Sequence, residues 1–497
     1  MSLILANARV HGRGNQLVDV VLREGRIAAL QPAGTSAAGT GPGEPAPRRL
    51  DLDGATVLPG LWDHHTHMST WAKTARRLDL SGTASAAETV ALVRSVVEER
   101  PDAERAHLLT GFGFSDSMWP DAPVAGALDE GVLASTPVVL YNTDLHSAWA
   151  NRAAMALAGQ GEHPGGLLRE TETAVLRGLD DVDQDTADQW VLDVAHAAAA
   201  RGVVGVVDLE GQGAIEGWER RSAAVALPLR VEANVRDHSY EAAAARGLRT
   251  GSRVDDAGLV HVGPLKIITD GSLGTRTAYC HDPYPGSENH GWQIVALAEL
   301  EELVRHGAEL GFTPAIHAIG DAANTAALDV FERVGVRGAI EHAQLMRESD
   351  VRRMAALGVV ASVQPEHLLD DRDQAERYWQ GRTHRAFPLR EMIDAGVQLA
   401  LGSDAPVTPL DPWLNIQAAA QRTRDDRGPW IPEQRISVTE AIAASTRTGG
   451  VVALGDPADL VVVPDPPEKR SGAALREMPV ALTVLGGRIT YADAAFA

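Results

Sequence analysis

The sequence predicts a (β/α)8 barrel carrying a small β domain assembled from both chain ends. Two observations point there. Short apolar runs alternate with helix-length segments from residue 201 onward, which argues for parallel strands joined by crossover helices. Residues 1–57 and 451–497 share a different texture, short β-like runs broken by glycine, and chain ends often lie close together. An open doubly wound sheet is the alternative architecture, but no glycine-rich phosphate loop follows the first run.

The ends come first. Leu3 to Val10, Val18 to Leu22 and Arg26 to Leu30 read as strands punctuated by Gly12, Gly14 and Gly25. Residues 33–48, rich in Gly, Pro and Ala, read as an exposed loop. At the other end, Asp459 to Val463, Ala481 to Leu485 and Arg488 to Tyr491 are strands, with Gly486-Gly487 as a hairpin turn. We expect 1–57 plus 451–497 to form one domain and 58–450 the barrel.

The barrel runs are Val203 to Asp208, Leu229 to Val235, Leu265 to Ile268, Thr313 to His317, Gly338 to His342, Val359 to Gln364 and Val397 to Asp404. The run Ala55 to Leu58, which leads into His64-His65-Thr66-His67, makes eight. Leu297 to Leu310 and Ala322 to Val334 read as intervening helices. Residues 72–200 exceed one βα unit. They hold helical patterns (Ala86 to Glu99, Asp185 to Arg201) and strand signals (His107 to Gly111, Pro137 to Asn142). We read them as an insertion covering the barrel mouth, the face where loops carry function.

Composition narrows the function. The chain has 497 residues, a net charge of −22, 44% hydrophobic residues and a single cysteine, Cys280. A strongly negative chain disfavours nonspecific binding to nucleic acid or to an anionic membrane. One cysteine excludes an internal disulfide framework and suits a reducing cytoplasm. No run approaches the roughly 18 apolar residues of a membrane span, and the N-terminus lacks a basic signal-peptide region. The expectation is a cytoplasmic protein acting on a small molecule.

The chemistry gathers at the ends of the apolar runs. Residues two apart on a strand point the same way, so His65 and His67 can share one metal ion, with His64 turned to the other side. Lys266, His317, His342 and Asp404 end later runs and are expected at the same face. Each alone is weak evidence, since a lone buried histidine is more often a hydrogen-bonded core residue. Together they are hard to explain by packing.

Lys266 lies in an apolar context where a bare ammonium is costly. A salt bridge to Asp270 or Asp208, or snorkelling to water, would resolve that cost. Alternatively, desolvation favours the neutral amine, which reacts with carbon dioxide to give a carbamate that bridges two ions. Asp404, in Leu401-Gly402-Ser403-Asp404-Ala405-Pro406, reads either as a helix cap or as a ligand that takes a proton from a metal-activated water and passes it to the leaving group.

These residues resemble the amidohydrolase superfamily, and within it amidohydrolase family 3, the subgroup that includes N-substituted formamide deformylase. The marks are Pro59 to His67, Asp144-Leu145-His146-Ser147-Ala148-Trp149, Lys266 to Ala278, His317-Ala318-Ile319-Gly320-Asp321, Ile340 to Gln344, Ser362-Val363-Gln364-Pro365, Leu401 to Val407 and Ala458 to Val462. The resemblance implies a β-sandwich built from both termini and a metal centre of one or two divalent ions, typically zinc. It implies His65 and His67 on the first ion, a carboxylated Lys266 bridging to a second ion held by His317 and His342, and Asp404 as ligand and general base. It further implies hydrolysis of a C–N bond, with ester or cyclic-amide hydrolysis and a non-catalytic scaffold as alternatives, and a homodimer. His146 then contacts a substrate carbonyl, a packing role fitting equally well. Arg276 and Gln364, with Trp71, Trp119 and Trp379 as an aromatic wall, are candidate substrate contacts. One departure is Leu454-Gly455-Asp456-Pro457 before Ala458-Asp459, where the family usually has Gly-Lys.

Overall fold

The structure is a computed structural model describing residues 2–35, 46–143 and 145–496. The centre of the expected Gly/Pro/Ala loop, 36–45, and Asp144 of the Asp-Leu-His-Ser-Ala-Trp motif lie outside the described residues. The chain divides into two units. The first is Met1–Met68, Val191–Gly271 and Ala278–Ala497; the second is Ser69–Trp190 with Ser272–Thr277.

The first unit contains the barrel. Its parallel strands are β1 (Leu61–Thr66), β2 (Val203–Asp208), β3 (Arg230–Arg236), β4 (Val260–Ile268), β5 (Pro314–Ala318), β6 (Ala339–His342), β7 (Val360–Val363) and β8 (Leu399–Leu401). Spatial order follows chain order from β1 to β8. Such strands are buried on both faces, which is why they read as apolar runs rather than alternating ones. Beyond the last strand, Thr66 bridges in parallel to Ala405. Asp404 N–H donates to His65 O at 2.7 Å and His67 N–H to Ala405 O at 2.9 Å, drawing β1 and the end of β8 together. Helices Leu297–Glu309 and Asp321–Val334 follow β4 and β5. Gly307 lets the first of these lie close to the sheet: a Cβ there would come within 2.4 Å of Leu265.

Two strand boundaries differ from the sequence reading. The apolar run entering the histidines is two strands, not one. Thr56–Pro59 belongs to the terminal sheet, and β1 begins at Leu61. The chain changes sheets at Gly60, whose N–H donates to Asp459 O and whose missing side chain makes room for Val204, 2.4 Å from a built Cβ. Strand β4 begins at Val260, ahead of the expected Leu265, and runs through Pro264. The register against β3 shifts there, between Ala233 and Val235. A bulge accommodates a proline that cannot donate to the ladder, and that punctuation hid the first half of the strand.

The two chain ends build a separate eight-stranded sheet. Thr56–Pro59 pairs antiparallel with Leu460–Val463, which joins the N-terminal and C-terminal portions. Two tight hairpins shape it. Glu24-Gly25 and Gly486-Gly487 each have positive φ at both positions, the geometry that matches strand twist. Leu5, Val20, Val57, Leu460 and Val484 pack into its core.

The second unit has a five-stranded sheet with the order Gly166–Arg169, Ser147–Ala150, Val138–Asn142, Leu109–Phe114, Leu78–Asp79. Helix Ala86–Glu99 is capped by Ser85 and buries Val90, Val93 and Val97 on one stripe. Among the described residues, no helix is long and apolar enough to cross a membrane.

Candidate metal centre

The polar residues at the ends of β1, β4, β5, β6 and β8 converge. His65 Nδ1 lies 2.6 Å from Glu341 Oε2. On its other side, His65 Nε2 is 3.3 Å from Lys266 Nζ and 3.3 Å from Asp404 Oδ1. His67 Nε2 is 3.1 Å from the same Asp404 oxygen. The His342 ring stands 4.9 Å from that of His65 and 4.4 Å from that of His317, centroid to centroid. All six residues expected to ligate metal therefore meet in one cluster, and most of it is buried; His67 is the most open, with 25% side-chain exposure.

The backbone bends to bring them in. His342 and Asp404 have φ of 76° and 57°, left-handed values that cost a non-glycine residue about 1 kcal/mol or more and concentrate at functional sites. Asp63 fastens the seam between β1 and β8, accepting from His65 N–H at 3.1 Å and from Ser403 N–H at 2.9 Å. Burial pushes its carboxyl up to about 7 against those hydrogen bonds. Gly402 is required by that close approach, since a Cβ would sit 2.6 Å from His65 N. Asp270 ties the loops after β4 and β5 by accepting from Tyr279, Ile319 and Gly320 N–H, and it stands 3.4 Å from His317 Nε2.

Burial sets the protonation states. It draws His65 down to about 4, helped by the Lys266 charge, so this imidazole is neutral. A neutral ring whose Nδ1–H donates to Glu341 presents the Nε2 lone pair to the cluster. Burial, then the neighbouring imidazoles, holds His342 well below its ordinary value, and His317 is lowered chiefly by burial. Lys266 falls to about 8, again by burial first. Asp404 goes the other way: burial alone would raise it, but His65, His67 and His342 hold it well below the usual carboxylate range.

These groups fit a divalent cation. The donor atoms of His65, His67 and Asp404 lie within 4.8 Å of one another, and so do those of His342, His367 and Asp404. Donors on one zinc-like ion, at about 2.0–2.2 Å, sit roughly 3.4 Å apart in a tetrahedron, so a small closure completes either set. His342 Nδ1 and His367 Nε2 are buried with no hydrogen-bond partner among the described residues, and His317 Nε2 has only the 3.4 Å approach of Asp270. Orphaned ring nitrogens are expensive unless something absent from the polypeptide satisfies them. Asp404 belongs to both sets.

The candidate substrate contacts are spread more widely. Gln364 is buried, its amide nitrogen 3.3 Å from His65 Nδ1. Trp379 is fully buried. His146, Trp71, Trp119 and Arg276 belong to the second unit. There His146 precedes strand Ser147–Ala150, and Trp119 packs 5.5 Å from Phe114. Two members of the cluster were not anticipated. Glu341, the immediate neighbour of His342, carries no expected role in the sequence reading beyond its place in the Ile340 to Gln344 motif. His367 lies three residues past Gln364, beyond the strand, with Nε2 3.8 Å from Asp404 Oδ2; a fifth histidine following a strand end was the available signal.

A family model described as the amidohydrolase family matches residues 48–491. The chain belongs to the amidohydrolase family. It is a metal-dependent hydrolase of that family, with the histidine–aspartate groups for a divalent ion at the barrel mouth. It is 27% identical to the N-substituted formamide deformylase of Arthrobacter pascens, over 99% of this chain and 98% of that protein. It is 28% identical to Protein LONG AFTER FAR-RED 3 of Arabidopsis thaliana, over 86% of this chain and 79% of that protein. An uncharacterized metal-dependent hydrolase from Pyrococcus horikoshii OT3 shares the fold of this amidohydrolase. Its TM-score is 0.77 at 24% identity, covering 95% of this chain and 99% of that one.

Proposed function

We propose that this amidohydrolase cleaves the C–N bond of an N-acyl or N-formyl amine. The observation that carries the reading is the shared carboxylate: Asp404 faces both histidine groups from one buried position. The substrate class is supported by the likeness to a formamide deformylase along nearly the whole chain. A bound divalent ion, zinc being well suited to this donor set, supplies Lewis acidity and an acidified water.

The residues divide the remaining work. His65 and His67 with Asp404 would hold one ion, and His342 would hold a second with His317 or His367 beside it. Lys266, drawn down to about 8, keeps enough neutral amine near pH 7–8 to add carbon dioxide and release a proton, and the resulting carbamate would offer an anionic oxygen ligand in place of a buried cation. Glu341 fixes the His65 tautomer. Asp404 accepts a proton from the attacking water and returns it to the departing amine nitrogen as the tetrahedral centre collapses. Gln364 and Trp379, which lie in the same unit as these histidines, are the substrate contacts assigned within it. A buried lone Cys280 suits a reducing cytoplasm.

The test is a panel of formamides, N-acyl amines, lactams and esters assayed with zinc-reconstituted protein, with metal content measured before and after chelation. Turnover of the acyclic amides that disappears with the metal is the expected result. Turnover confined to esters or lactams would replace the amide reading, and no turnover with metal bound would end it.

A further inference from the structure

Beside Lys266 at the barrel mouth, one arginine forms no ion pair among the described residues. Arg236 is the last residue of β3 and pairs in register with Lys266 on β4. In-register neighbours on adjacent strands project to the same side of a sheet. Lys266 turns towards the cluster, as its contact with His65 shows, so Arg236 faces the mouth beside it. Its guanidinium forms no ion pair among the described residues, and its Nε is buried without a hydrogen-bond partner. Burial works against its charge, and the fields of Asp237 and Glu210 support it without a recorded ion pair. Two residues back on the same face, Asn234 is 3% exposed, and neither atom of its amide is bonded. This contrasts with other barrel arginines: Arg230 is paired with Asp459 and Arg447 with Glu232.

An arginine half-withdrawn from water, next to a lysine and without an ion pair among the described residues, is costly as it stands. Its fork of donors matches a planar anion in geometry. We infer that Arg236 is a specificity residue that binds a carboxylate on the substrate, so that the substrate class is an N-acyl or N-formyl amino acid rather than a neutral amide. The inference rests on the C–N hydrolase reading and narrows it. A carboxylate held at β3 leaves the adjacent acyl–nitrogen bond to lie towards Lys266 and Asp404. Asn234, two residues back on the same face, adds a buried amide that the described residues do not satisfy.

The experiment compares N-formyl-leucine with N-formyl-leucinamide, which differ in the charge alone, on zinc-reconstituted wild type, Arg236→Met and Arg236→Lys. Two readouts are used: the ratio of kcat/KM for the two compounds, and calorimetric binding of each. The ratio should favour the acid in wild type and fall about 10- to 100-fold in Arg236→Met, the loss expected for a charge-assisted hydrogen bond. Arg236→Lys, which restores charge without the fork, should recover part of it, and it serves alone if the methionine variant does not fold. Calorimetry should show the acid losing affinity in parallel. An unchanged ratio with unchanged binding overturns the inference. So does an equal loss for both compounds together with lost zinc and a lost 44 Da addition on Lys266 (the mass of carbon dioxide), because Arg236 would then be serving a carbamate on its neighbour. If wild type hydrolyses neither compound, the C–N hydrolase reading fails, while calorimetry still decides whether Arg236 reads the carboxylate.

Discussion

In the terminal β domain, His11 Nε2 stands 2.5 Å from Glu468 Oε1; at the barrel mouth, His65 Nδ1 stands 2.6 Å from Glu341 Oε2. Both histidines are buried and both contacts join distant parts of the chain. The hydrogen bond to Glu468 raises His11 above its ordinary value, whereas burial and the Lys266 charge press His65 down to about 4. The contact does not decide the outcome; the surroundings do. His11 has one carboxylate and a carbonyl, Gly450 O at 3.2 Å, and both favour its protonated form. His65 is buried against Lys266, so it stays neutral, with a lone pair to give. One pair is a fastening and the other is the support of a ligand.

The largest effect should come from the group that unites the centre. Asp404→Asn should reduce turnover about 10²- to 10⁴-fold, the usual worth of a positioned acid–base group. Circular dichroism should show the fold retained. Loss of only a few-fold would leave His65 and its neighbours without the carboxylate role assigned here.

Next, the two glutamates should separate. Glu341→Gln removes the acceptor that fixes His65 and should weaken zinc binding about 10- to 100-fold, as outer partners of ligating histidines do. Chelator competition measures this. Glu468→Gln should leave zinc affinity where it is. Equal effects from both would erase the distinction between them.

The smallest effect sharpens the fastening. His11 is raised above 6.5, so its contribution is complete below that value and is lost as pH rises through the folded pKa. Glu468 is lowered from 4.5, so its contribution is present above 4.5 and is lost as pH falls further. His11→Gln should therefore cost about 1 kcal/mol between roughly pH 4.5 and 6.5, with the deficit fading in mild alkali. Urea unfolding at pH 5.5 and 8.5 checks this. His65 carries the opposite sign: its folded value lies below 6.5, so acidification below 6.5 destabilises the metal-free protein through this group.

Much of this was legible in residue order. Parallel strands buried on both faces leave long apolar runs, so a polar residue ending each run stands out, which is how His65, His67, Lys266, His317, His342 and Asp404 read as the candidates that the fold gathers. Local backbone departures hid the rest. Glu341 and His342 are consecutive, and only the left-handed turn at His342 and Ala343 lets both side chains address one centre. Nothing in one-dimensional order signals such a turn at a histidine. The junction at Gly60 was misread because both strands it separates are apolar. Arg236 was invisible for another reason: an unpaired charge is a statement about what surrounds it in space.

The most direct test is an anomalous-scattering map of zinc-reconstituted crystals collected at the zinc edge. The account predicts density at the barrel mouth, contacted by His65, His67 and Asp404, with any second peak beside His317 and His342. Zinc seated at His11 or at surface carboxylates, with the mouth empty, would contradict it.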